Sequence, residues 1–133
     1  MNRSTWMAAF LLAGILPAAA ESAGDYMGAS CADGDATCER TQKDFEKWFP
    51  EAYKGDYQSQ RNVAFCLATG CDGAILVKPI KACAWRAVIV SSGSPEVDQS
   101  DTTNLDQDCG KLSPTEVEAA KAQADRIAAT IKP

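Results

Sequence analysis

Apolar residues recur at helical spacing over most of the chain beyond its first twenty residues, and the breaks between the periodic stretches carry helix-ending or turn residues. Asp35 stands where an N-cap belongs, and Cys38, Gln42, Phe45, Trp48 and Phe49 then share one face. Pro50 is expected to limit or kink this helix, with one further turn over Glu51–Lys54 before Gly55 stops it. Asp56 caps a second helix, Tyr57–Thr69, with an apolar stripe of Val63, Ala64, Leu67 and Ala68 opposite wet Gln58, Arg61 and Asn62; Gly70 ends it. After a loop, Pro79 opens Ile80–Ser92, apolar nearly all round and predicted to be the most buried element. Ala87–Val90 alone also reads as a strand, but the Pro79 start, the Gly93 stop and the length favour a helix. Ser100 or Asp101 is expected to cap a short helix through Leu105 and Cys109, and Gly110 breaks it. Ser113-Pro114-Thr115-Glu116 combines a cap, a first-turn proline and a capping-box glutamate ahead of Val117, Ala120, Ala124, Ile127 and Ile131. Short loops between such helices imply antiparallel neighbours.

Residues 1–20 follow a different pattern. Arg3 precedes the apolar run Trp6–Leu16, and Ala18-Ala19-Ala20 supplies small residues, which together read as a secretory signal peptide cut after Ala20. The run falls short of the roughly 20 residues that span a bilayer, and Gly14 and Pro17 interrupt the segment; retention as an anchor is the competing reading. Residues 21–34, rich in Gly, Ser and Ala with little periodicity, read as a flexible lead-in, and residues 35–133 as one all-α domain.

Composition changes this picture mainly through cysteine. All six, Cys31, Cys38, Cys66, Cys71, Cys83 and Cys109, lie beyond the leader, an even set that in an exported small domain reads as three disulfides. With Gly70 at the position after the helix end, a Schellman turn brings Cys71 against Cys66. Cys31 and Cys38 are close in sequence, which leaves Cys83 for Cys109, although six cysteines allow about fifteen pairings. The net charge of −5 becomes slightly more negative once Arg3 is removed. Such a surface is a poor partner for nucleic acid or anionic lipid.

Histidine is absent, which removes the usual general base and the commonest zinc ligand. The cysteine spacings form neither paired zinc knuckles nor a C-x-x-C redox motif. Asp33-Gly34-Asp35 begins like a calcium loop, but Cys38 stands where glycine is needed and Asp44 where glutamate is needed, so it reads as a helix-capping loop. Asp98, Asp101, Asp106 and Asp108 read as capping and surface charge. No catalytic, cofactor-binding or metal-binding residue is assigned. Trp48, Tyr53, Tyr57, Phe65 and Trp85 read chiefly as core, with a binding groove as the alternative. Arg86, on the most apolar helix, is expected to pair with an acidic neighbour, snorkel to the edge or meet a partner.

Between Gly55 and Gly93 the sequence resembles one unit of the Sel-one-like repeats, a branch of the tetratricopeptide-type hairpins. The Gly55-Asp56 start, Gln60, Asn62-Val63-Ala64, Gly70, Lys81-Ala82, Trp85, Ala87 and Gly93 carry the resemblance. The loop Cys71–Val77 departs from the family pattern, and cysteines replace ordinary small or apolar positions. The resemblance implies a scaffold or adaptor without catalytic residues; joined to the cysteine set, it gives the expectation of a small disulfide-stapled helical bundle built around one such hairpin. A lone hairpin needs flanking helices and disulfides to complete its core. The function expected is that of a non-catalytic periplasmic or secreted interaction module, or an accessory subunit of an envelope assembly. Tyr57, Gln58, Arg61 and Asn62 are candidate contacts, joined by Arg86. The alternative is a small periplasmic enzyme or inhibitor acting on cell-wall material.

Overall fold

The computed structural model describes residues 21–28 and 31–131, so the expected leader lies outside the described residues. Five helices account for most of it: α1 (Ala36–Tyr53), α2 (Tyr57–Thr69), α3 (Pro79–Ser91), α4 (Gln99–Gly110) and α5 (Pro114–Thr130). Helix α3 is the hub, packing on α2, α4 and α5, while α1 packs on α2. The architecture is an all-helical bundle held by three disulfides, and among the described residues no helix is long and apolar enough to cross a membrane.

Local chemistry sets most helix ends. Asp35 accepts from Cys38 N, Asp56 from Ser59 N and Ser113 from Glu116 N, each satisfying an otherwise orphaned first-turn amide. Pro79 occupies the first turn of α3, which is buried along Ala82–Arg86, Val88 and Ile89. At Pro50 the expected further turn forms, and one boundary differs from the sequence reading. Helix α1 runs through Pro50 to Tyr53, because a proline this close to the helix end removes one hydrogen bond without ending the last turn. Helix α4 starts two or three residues earlier than expected: Asp98 is the cap, and Asp101 is the third helical residue of a capping box.

The lead-in is docked over residues 21–28, contrary to the flexible segment expected there. Ala23–Tyr26 form a 3-10 turn, Leu76 N donates to Tyr26 O (2.8 Å), and Gly28 N donates to Ala74 O (2.9 Å). Tyr26 wedges against Phe45 and Phe49, with ring centroids 6.4 and 5.3 Å away. An aromatic anchor and backbone pairing across more than forty residues of sequence are long-range features that no local periodicity announces. We call this segment the strap.

The bridges are Cys31–Cys38, Cys66–Cys71 and Cys83–Cys109. Gly70 closes α2 in the left-handed region and Gly70 N donates to Cys66 O (2.7 Å), the helix-end geometry that sets Cys71 beside Cys66. The left-handed conformation then persists through Cys71 (φ 44°), Asp72 (φ 59°) and Gly73 (φ 87°). For the two non-glycine residues this costs on the order of 1 kcal/mol each. Chain-entropy reasoning makes Cys83–Cys109, with a sequence separation of 26, the strongest constraint of the three.

Candidate functional site

Helical geometry divides α2 into two faces. Val63, Ala64, Cys66 and Leu67 are buried, whereas Gln58, Asn62, Phe65 and Thr69 recur at intervals of three and four along the outer face. Phe65 is 54% exposed, the most exposed of the large hydrophobic residues described. Half-buried Trp48 reaches across from α1, and with Thr41, Asn62, Phe65, Cys66, Cys71 and Asp72 it lines a small cleft of about 210 Å³. Gln58 Nε2 donates to Asn62 Oδ1 (3.0 Å), so the polar end of the face is ordered by its own amides. The outer face therefore offers an aromatic pair beside hydrogen-bonding groups.

The sequence-derived contact residues distribute unevenly on this surface. Gln58 and Asn62 lie on the outer face, with Asn62 partly covered. Tyr57 does not: it is buried, its hydroxyl donates to Asp101 Oδ2 at 2.6 Å, and burial together with that bond pushes its pKa up to about 12. Arg61 is half-buried; its guanidinium lies over the Tyr57 ring and its Nε forms an ion pair at 3.1 Å with Asp101 Oδ1, without hydrogen-bond alignment. Arg86, 5% exposed, donates from Nε to Asp108 Oδ2 at 2.8 Å, so of its three expected fates it has taken the acidic neighbour. The reading of the α4 aspartates as surface charge is corrected for two of them. Asp101 is 1% exposed and Asp108 largely covered, because Arg61 and Arg86 supply charges that compensate their desolvation. Tyr57–Asp101 and Arg86–Asp108 thereby pin α4 to α2 and α3. Sequence reasoning undervalued Phe65 as a surface residue; the signal was its place on the Gln58–Asn62 side of the helix, away from the Val63–Leu67 stripe.

A second, larger cleft of about 830 Å³ lies between the strap, α1 and α5. Phe49, Pro50, Tyr53 and Ile127 supply its apolar wall, and Lys81, Glu46 and Arg126 its charges. At one end Glu21 receives Lys81 Nζ (2.9 Å) and Tyr53 OH (3.3 Å). Burial pushes the Glu21 carboxyl up, but hydrogen bonds from Lys81, Tyr26 and Tyr53 and the lysine charge outweigh it and hold the group below its usual range. Burial and the facing Glu21 raise both tyrosines. This cluster keeps a charged carboxylate and two neutral phenols, an arrangement that anchors the strap to α1 and α3.

Comparison with protein-family models, with curated proteins and with solved structures gives no matching family, no relative and no structural neighbour for this chain.

Proposed function

We propose that this chain is an exported, non-catalytic interaction module or accessory subunit of an envelope assembly, in which α2 and α3 act as a single Sel-one-like, tetratricopeptide-related hairpin and the outer face of α2 makes the contact. The observation that carries the reading is Phe65 standing open beside Trp48, flanked by Asn62 and Gln58. Exposed aromatics in a shallow cleft with nearby amides match the composition of interface anchors, which bury large area at low conformational cost. Three disulfides fit an oxidising compartment, and the helices flanking α2 and α3 supply packing that neighbouring repeats supply elsewhere.

A photo-crosslinking residue placed at position 65 in living cells should give an adduct of defined mass, while the same residue at exposed Glu118 on α5 should not. Phe65→Asp should abolish co-purification of the crosslinked partner without lowering Tm, since the side chain is open to solvent. Equal adducts from both positions, or none from position 65, would refute the proposal.

The larger cleft favours a second reading, a small enzyme or inhibitor acting on cell-wall material. Its anchored carboxylate, Glu21, is held in the charged form and so suits binding better than general-acid work. Measurable turnover of purified cell-wall fragments, lost in Glu46→Gln at the cleft wall, would establish that reading instead.

A further inference from the structure

We propose that Cys66–Cys71 is a thiol–disulfide exchange site, opened selectively by a dithiol reductant, and that its opening releases the left-handed turn 70–73 and with it the seat of the strap. The inference does not depend on which protein docks on α2.

Three observations carry it. The first is access: both cysteines line the cleft beside Trp48 and Phe65, Cys71 is half-buried, and Cys66 is 1% exposed. An incoming thiolate therefore meets Cys71 Sγ first. The second is backbone strain. Among the described residues Cys71 and Asp72 are the only non-glycine positions with positive φ; Cys71 ends the segment this bridge closes and Asp72 follows it directly. The bridge tethers Cys71 with its Cα 4.8 Å from that of Cys66, and opening it frees the left-handed Cys71 from that tether. Among the described residues Cys38, Cys83 and Cys109 do not have positive φ. The third is coupling. Ala74, immediately after the turn, presents its carbonyl to Gly28 N (2.9 Å) and Gln42 Nε2 (3.0 Å), and Met27 faces Ile75 in an antiparallel bridge. Movement of the turn shifts the surface on which the strap is pinned.

The chemistry balances as a two-electron exchange. A thiolate of the dithiol attacks Cys71 Sγ, the Cys66–Cys71 bond breaks, and its electron pair leaves on Cys66 Sγ, which takes up a proton. The second thiol of the reductant gives up its proton, attacks its own sulfur in the mixed disulfide and expels Cys71 as a thiolate that is protonated in turn. One protein disulfide and one dithiol become two protein thiols and one oxidised reductant.

Dithiothreitol is the probe. The oxidised protein is equilibrated at graded ratios of reduced to oxidised dithiothreitol, quenched with iodoacetamide and mapped by mass spectrometry. Cys66 and Cys71 should be alkylated at a ratio about tenfold lower than the other four cysteines. In the singly opened species, amides of residues 71–78 and 22–28 should exchange about tenfold faster with deuterium. Asp72→Gly, which fits positive φ without strain, should raise the reductant ratio required about fivefold. Another bridge opening first or together with this one, unchanged exchange in the strap, or an unmoved midpoint in Asp72→Gly would each overturn the proposal, and none of these results bears on docking at Phe65.

Discussion

Replacing Asp101 tests whether the buried carboxylate of α4 is a structural clamp. Its Oδ2 accepts from Tyr57 OH at 2.6 Å and from Asp98 N at 3.1 Å, and Oδ1 faces Arg61. A hydrogen bond to a charged acceptor contributes about 1.5–3 kcal/mol, and deletion leaves a buried hydroxyl without its acceptor. Arg61 is 28% exposed on its side chain and can turn to water, so the ion pair adds at most about 1 kcal/mol. Asp101→Ala should therefore cost about 3 kcal/mol. Asp101→Asn, which can still accept from Tyr57, should cost about 2 kcal/mol. For a domain of this size the alanine variant should melt about 12 °C lower by circular dichroism. A double-mutant cycle with Tyr57→Phe should give a coupling of about 1.5 kcal/mol, since the two residues share one bond. If Asp101→Ala stays within about 0.5 kcal/mol of the parent, the carboxylate behaves as ordinary surface charge and the clamp is refuted.

Joint replacement of Cys83 and Cys109 by alanine should cost about 3.5 kcal/mol by chain entropy, more than removal of either short bridge; denaturant midpoints of the three double variants measure the order. High pH should unfold the protein through its tyrosines. Tyr57 has its pKa raised from the usual 10 to about 12, first by burial, so the fold favours the neutral phenol; this stability is complete below pH 10 and lost as pH rises through 12. Urea midpoints at pH 9 and pH 11.5 should differ clearly, and less so in Tyr57→Phe; equal midpoints would contradict the burial argument.

The starts of α1, α2, α3 and α5 and the helix-end disulfide were legible in the sequence because their causes are local. An aspartate or serine accepting an amide three residues on, a proline in the first turn, and a glycine ahead of Cys71 are all short-range chemistry. Asp101 and Asp108 were misread because their counter-charges, Arg61 and Arg86, lie on other helices, and spacing along α4 carries no trace of them. The strap escaped for the same reason, since Tyr26 is placed by Phe45, Phe49 and the segment after the left-handed turn. Of the contact residues expected on α2, those on its outer edge, Gln58 and Asn62, remain on the candidate face. Tyr57, one position round the helix from Gln58, is turned inward, because the 100° step per residue and not the polarity of the segment decides which side meets water.

The three covalent ties are all confined to residues 31–109, so α5 is joined to the rest only by its single connection and by packing. Its inward surface is short: Ala120, Ala124 and Ile127, two of them small. Such an element should detach as a sub-global opening at a free energy well below complete unfolding, leaving the stapled remainder intact. Because α5 also walls the larger cleft, each detachment would widen it beside Tyr53 and expose Phe49 to any molecule lying there.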